Sequence, residues 1–260
     1  MKLDKASPVQ LYYQLAELLK DQIAAGELKS GAQLPSEREL SERSAISRMT
    51  VRQAVAYLVR EGVLAVKPGI GTFVAAPKLT YDALHLVGFT EEAMRQGRSA
   101  QSRVLEQGMT LPSVRIAASL QLQPDALVIK IVRVRFLDDT PLLLETSFIP
   151  ADLCPGLAQA ELASHSLYAL LERTYGIRLG RSHQTFEATI ANDYEQHLFA
   201  IQLGAAMILL EGVVYSEAEQ PVEYFKTIYR GDRFKFALES WRNPLALALP
   251  DSSRMRVVLR

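Results

Sequence analysis

Leu34-Pro35-Ser36-Glu37-Arg38-Glu39-Leu40, Ser47-Arg48-Met49-Thr50-Val51-Arg52-Gln53-Ala54-Val55 and Gly69-Ile70-Gly71-Thr72-Phe73-Val74 follow one another in quick succession. Ser36 with Glu39 three residues later is a capping box, which opens a short helix to about Ser44. Ser47 caps the next helix, which runs to about Glu61 and stops at Gly62. Val63–Val66 and Thr72–Ala75 read as short strands around a flexible Gly69-Ile70-Gly71 tip. Upstream, Ser7-Pro8-Val9-Gln10 reads as another capping box, with Leu11, Leu15, Leu18 and Leu19 at helical spacing as far as Gly26. The order is three helices and then a strand hairpin.

On a wheel of 100° per residue, Val51, Ala54, Val55 and Leu58 share one side of the third helix and must face a small core. Met49, Thr50, Arg52, Gln53, Ala56 and Arg60 fall on the other side, with Arg48 at the helix start. Arginine suits guanine, glutamine suits adenine, and threonine suits a thymine methyl or a phosphate. A recognition helix reads base edges mainly through its N-terminal residues, where this polarity sits. Arg38, at the start of the preceding helix, can reach phosphate or a base at the groove rim. Exposed arginine on one isolated helix would be an ordinary solvated face. Two adjoining capped helices and a glycine-tipped hairpin favour a winged helix-turn-helix that holds DNA. The tip, Gly69 and Gly71 included, is not a nucleotide loop, because no third glycine and no Gly-Lys-Ser/Thr follows. It suits a wing laid over the minor groove or the phosphate backbone.

The 260 residues are 48% hydrophobic and 22% charged, enough for two ordinary domains with sizeable cores. Net charge is zero, and residues 1–75 carry ten Lys and Arg against eight Asp and Glu, so placement rather than bulk charge must serve DNA. No long apolar run and no signal-peptide core is present, which predicts a cytoplasmic protein without a membrane segment. Cys154 is the one cysteine, so no internal disulfide or Cys-rich metal site is expected; its expected role is a small, semi-buried apolar residue. The four histidines show no metal spacing, and neither metal nor cofactor is expected.

Residues 76–85 read as a linker between a DNA-binding domain (1–75) and a second domain (86–255). That second part mixes strands and helices with antiparallel signals, which predicts an α+β domain with helices packed on an antiparallel sheet. Leu127–Leu137 and Leu142–Ile149 are strands joined by Asp138-Asp139-Thr140-Pro141. Arg133 and Arg135 share one strand face. A three-residue loop puts Glu145 opposite Arg133 and Ser147 on the same face; a two-residue loop turns Glu145 away. Two arginines, a carboxylate and a hydroxyl together could bind a small anion that carries hydroxyl or amino groups. The competing reading is a surface salt bridge on a half-exposed sheet. Thr90, beside Phe89, is a candidate N-cap of a helix containing Glu91 and Glu92. Ser166 opens another helix with Tyr168 close by, and Glu223 and Tyr229 share a strand face.

The first 75 residues resemble the DNA-binding domain of the GntR family of bacterial transcriptional regulators. The resemblance rests on Leu34 to Leu40, Ser47 to Ala54, Leu58 to Leu64 and Gly69 to Val74. It implies a homodimer on palindromic double-stranded operator DNA, with Arg38, Arg48, Thr50, Arg52 and the glycine-rich wing tip at the contact. More loosely, Gly88 to Arg95, Ile131 to Arg135, Leu144 to Pro150, Ser166 to Tyr168 and Gln220 to Tyr224 resemble the UTRA effector domain of the HutC subgroup. That domain is similar in fold to chorismate lyase. The resemblance to members that respond to phosphorylated amino sugars implies that Phe89, Thr90, Arg133, Arg135, Ser166 and Tyr168 surround a phosphate. It implies that Glu145, Glu223 and Tyr229 contact the sugar. Thr90 stands where a serine is frequent, and other members read urocanate or other sugar phosphates.

The expected function is therefore a repressor controlled by a small anionic metabolite. An enzymatic C-terminal domain is the alternative, but Cys154 has no obvious base beside it and the histidines form no constellation. A DNA-bound protein without an effector is the third reading.

Overall fold

The computed structural model describes residues 3–82 and 86–237. The last residues of the expected linker (83–85) and the end of the expected second domain (238–255) lie outside them. Helices α1 (Leu11–Ala24), α2 (Glu37–Ser44) and α3 (Arg48–Arg60) come first, followed by the hairpin β1 (Leu64–Lys67) and β2 (Gly71–Val74). Ser36 accepts from the Glu39 N–H while the Glu39 carboxylate accepts from Ser36, so the capping box is complete. Ser47 caps α3 by accepting the Thr50 N–H at 3.1 Å.

The box expected at Ser7 does not form. Gln10 is the N-cap of α1 and makes no side-chain cap bond. The Gln14 amide instead donates to the carbonyls of Asp4 and Val9 and tethers the incoming chain, while Ser7 accepts only the Val9 N–H. Leu15, Leu19, Leu40, Val51, Ala54, Leu58, Leu64 and Val74 make the core of this unit, so the apolar side assigned to α3 is the buried one.

After β2 come β3 (Leu79–Asp82), α4 (Phe89–Arg95), β4 (Ala100–Thr110), α5 (Val114–Ser119), β5 (Val128–Leu137) and β6 (Thr140–Pro150). Then follow α6 (Leu167–Arg173), β7 (Leu179–Ile190), α7 (Asp193–Phe199), β8 (Ala206–Ser216), β9 (Pro221–Arg230) and β10 (Phe234–Ala237). Six strands form one antiparallel sheet in the order β4-β5-β6-β9-β8-β7. Helices cover both faces, as expected for an α+β domain. Ile129 and Ile131 pack on Leu167 and Leu171 of α6, and Leu137 and Leu143 on Ala93 of α4. On the other face Val128 meets Ile116 of α5, and Val134 meets Phe199 of α7. Cys154 is fully rather than half buried, and burial pushes its thiol up to about 11.

Leu79–Asp82, expected as linker, is a strand that pairs in parallel with β10. The reason is tertiary: β9 ends in a turn that lays Phe234–Ala237 beside it, and Lys78 Nζ donates to the Gly231 carbonyl in that turn at 2.8 Å.

The β5–β6 hairpin takes the two-residue turn of the two alternatives, yet reaches the register that the three-residue turn would have given. Leu137 pairs with Thr140, so the loop has two residues, Asp138 and Asp139, both left-handed at φ 47° and 63°. Such a loop alone would turn Glu145 away. A β-bulge at Leu142 inserts one residue between the pairs Phe136–Pro141 and Arg135–Leu143, and Glu145 returns opposite Arg133.

Removing the α2 cap tests the local argument. Ser36→Ala should cost about 1 kcal/mol, read as a lower urea midpoint at unchanged slope.

Candidate functional site

Alternation along β5, β6 and β9 lays out the floor of a cleft. Arg133 pairs with Glu145, and Glu145 with Thr227; Arg135 pairs with Leu143, and Leu143 with Tyr229; Ser147 pairs with Phe225. The walls come from Gly88, Phe89 and Thr90 at the start of α4 and from Ser166 and Tyr168 at the start of α6. Phe89, Thr90, Arg133, Arg135, Glu145, Ser166, Tyr168, Glu223 and Tyr229 all line this one cleft.

The arginines do not form the half-exposed surface pair that the sequence left open as the competing reading. Arg133 and Arg135 are 1% and 2% exposed. Arg133 Nη2 donates to Glu145 Oε2 at 2.6 Å, and Arg135 Nη1 reaches the same oxygen at 3.4 Å. Arg135 Nη2 donates to the Thr90 hydroxyl, and its guanidinium lies 5.0 Å from the Phe89 ring centre. Thr90 is not the N-cap of α4. Gly88 holds that place, its N–H donating to Glu91 Oε2 at 3.2 Å, and Thr90 sits one residue inside the helix. Ser166 caps α6 by accepting the Ala169 N–H.

Four ionisable groups, Arg133, Arg135, Glu145 and Glu223, crowd this space. Burial and the neighbouring Arg133 charge lower Arg135 to about 10. Burial opposes ionisation of Glu145, but the Arg133 and Arg135 charges outweigh it and hold the carboxyl below its usual range. Glu223 is 1% exposed, and burial, helped by the Glu145 charge, pushes it up to about 7 against the pull of Tyr168 and the Arg133 charge. Arg133 Nε and Nη1, Arg135 Nε, Ser147 Oγ and Glu223 Oε2 are buried without a hydrogen-bond partner among the described residues. Of these residues Arg133, Arg135 and Glu223 line the cleft, where open donors and acceptors are costly unless a polar ligand meets them.

Tyr81, Gln184 and Thr227 also line the cleft and were not anticipated. Thr227 was within reach of sequence reasoning, since Glu223, Phe225, Thr227 and Tyr229 keep a strict period of two. Gln184 lies on β7, three strands from Glu145 in the sheet, and nothing local marks it. Tyr81 belongs to the expected linker; its hydroxyl donates to the Val87 carbonyl at 2.6 Å and its ring packs on Tyr229 and Phe236.

In the N-terminal unit Arg38, Arg48, Arg52 and Gln53 are exposed, as are Met49 and the wing residues Gly69 and Ile70. Thr50 is half-buried, its hydroxyl 2.8 Å from Ser47 Oγ. Gly69 takes φ +73° and Gly71 φ +147°, conformations that favour glycine at the wing tip. The Gln33 amide braces that tip by donating to the Ile70 carbonyl at 3.1 Å. Among the described residues no His, Cys, Asp or Glu cluster could hold a metal, and no helix is long and apolar enough to cross a membrane.

Glu223 gives this site a pH signature. Its carboxyl is raised from 4.5 to about 7, so the folded state favours the protonated form. That contribution to stability is full below pH 4.5 and is lost as pH rises through 7. Glu223→Gln should remove this loss, so the difference in unfolding free energy between variant and wild type should shift in favour of the variant by up to roughly 3 kcal/mol between pH 4.5 and 8. Ligand-free urea titrations across that range measure it.

Residues 11–74 match the bacterial regulatory proteins of the gntR family, and residues 95–235 match the UTRA domain. The chain is 39% identical to the HTH-type transcriptional repressor NagR of Bacillus subtilis, over 91% of this chain and 97% of that protein. It is 27% identical to a probable fructoselysine utilization operon transcriptional repressor of Escherichia coli, over 92% of this chain and 98% of that one. The crystal structure of PhnF from Mycobacterium smegmatis superposes with a TM-score of 0.61 at 29% identity, covering 88% of this chain and 99% of PhnF. These relatives are transcriptional regulators rather than enzymes. The chain belongs to the GntR family, in its HutC subgroup: it is a DNA-binding transcriptional regulator whose C-terminal UTRA domain responds to a small molecule.

Proposed function

We propose that the protein is a cytoplasmic repressor that binds a palindromic operator as a homodimer and leaves it when a sugar phosphate, in particular an amino-sugar phosphate, fills the cleft. The observation that carries the ligand class is the buried Arg133–Arg135 pair, which keeps open N–H donors beside the unpartnered carboxylate oxygen of Glu223. A phosphate dianion supplies several acceptors to the guanidinium end. Hydroxyl and amino groups on the rest of the ligand would donate to Glu145 and Glu223, with Tyr229 beside them. Phe89, Thr90, Ser166 and Tyr168 close the phosphate end.

On the DNA side Arg38, Arg48, Thr50, Arg52 and Gln53 are the contact residues of this reading, with Gly69 and Gly71 at the wing. The functional units are a DNA-binding part ending near residue 75, a joining segment over 76–85 and an effector part from residue 86. Two contacts support communication between them. Tyr81 lines the cleft from the strand that continues the chain out of the wing. Gly62, just past α3, lies against the turn after β9, where an added Cβ would stand 2.2 Å from the Asp232 carbonyl oxygen. An effector must favour one arrangement over the other to act; a hundredfold difference in affinity corresponds to roughly 2.7 kcal/mol.

A thermal-shift series with glucosamine 6-phosphate, glucose 6-phosphate, free glucosamine and urocanate tests the ligand class. The phosphorylated sugars should raise the melting temperature and the free sugar should not. A response to urocanate alone would sink the proposal. Arg135→Met should weaken phosphate-dependent stabilisation by at least about 2 kcal/mol, roughly thirtyfold in affinity, while DNA binding persists. Arg52→Ala should cost about 1–3 kcal/mol of operator binding and relax one base position, measured by fluorescence anisotropy on variant duplexes.

A further inference from the structure

Arg52 does not project freely from α3. Its Nε donates to Glu37 Oε1 and Oε2 at 3.1 and 3.2 Å, and its Nη2 to Oε2 at 2.9 Å. Glu37 is the first residue of α2, so the pair ties the start of one helix to the second turn of the next. The side chains remain 62% and 38% exposed, and a surface ion pair of that kind adds little to stability. Its consequence is geometric. A guanidinium has two forked edges, and the carboxylate occupies the Nε–Nη2 edge. The Nη1–Nη2 edge stays open, and two parallel N–H donors are the complement of guanine O6 and N7. An arginine without such a brace loses more side-chain freedom on binding and can turn to a phosphate instead. The Arg52 hydrogen bonds hold the Glu37 carboxyl below its usual range against some burial, helped by the Arg52 and Arg48 charges.

We propose that Glu37 is a positioning residue for base reading: it holds one edge of Arg52 so that the other faces a guanine in the major groove. The proposal rests on reading α3 as the recognition helix. It separates two effects that usually travel together. A carboxylate near DNA repels phosphate, so its removal should strengthen binding to any duplex. Loss of the brace should instead weaken discrimination at one base.

The experiment is selection from a randomised duplex library by the full-length protein, comparing wild type, Arg52→Ala, Glu37→Gln and the double variant. Wild type should enrich a guanine that Arg52→Ala no longer requires. Glu37→Gln should lower the preference for that same guanine by about tenfold, the scale of one bidentate base contact. Its affinity for an unselected duplex should stay level or rise. In the Arg52→Ala background the Glu37 change should leave base preference unaltered. The proposal fails if Glu37→Gln keeps the wild-type guanine preference, if Arg52→Ala keeps it too, or if Glu37→Gln weakens all duplexes alike. A wild-type protein that enriches no sequence would overturn the DNA-reading assignment of α3 as well. A wild-type motif retained intact by Glu37→Gln would overturn the positioning role alone.

Discussion

Two guanidinium groups buried side by side on β5 are the constraint around which the effector half is organised. Taking a charge out of water is expensive, and the cost is offset only where partners are placed accurately. Arg133 and Arg135 share one such partner, Glu145, which the Leu142 bulge returns to their face. Thr90 and Phe89 then come down on Arg135 from α4. The pair is thus held by a carboxylate on one side and a short helix on the other, yet its donors are not exhausted. A buried cationic pair with spare donors is a poor way to stabilise a sheet and a good way to hold an anion.

The rest of the molecule connects that site to the N-terminal unit. Within the joining segment, Leu79–Asp82 pairs with β10 and carries Tyr81 into the cleft wall. The turn after β9, three residues beyond Tyr229, touches Gly62 at the end of α3. Arg230 holds Asp232 in that turn through two hydrogen bonds. Tyr229 in the cleft lining and Asp232 against Gly62 therefore stand three residues apart in the chain. That is a material basis for linkage, which requires differential contacts and not mere proximity.

Much was legible along the chain because local rules govern it. Capping at Ser36 and Ser47, the buried side of α3 and the strand faces of Arg133, Arg135, Glu223 and Tyr229 follow from side-chain hydrogen bonds and periods of 3.6 or 2. The failures arose where distant chain intervened. Ser7 is a local exception: α1 starts at Leu11 with Gln10 as its N-cap, and Ser7 accepts only the Val9 N–H, ahead of the helix. Thr90 reads locally as a cap, but Arg135 claims its hydroxyl. Leu79–Asp82 carries no strand signal that survives without β10 beside it.

What the sequence by itself determined is the kind of protein: a winged helix-turn-helix with arginines at the start of its third helix, joined to an α+β domain with a basic strand face. Those features are written in neighbouring residues, whose propensities and hydrogen bonds act over one or two turns. Tertiary structure decided how the charged groups meet. The Leu142 bulge set which way Glu145 points, burial rather than composition raised Glu223, and the packing of α2 on α3 gave Arg52 its carboxylate partner. Each depends on through-space distance between residues far apart in the chain, and such distances exist only once the fold has closed.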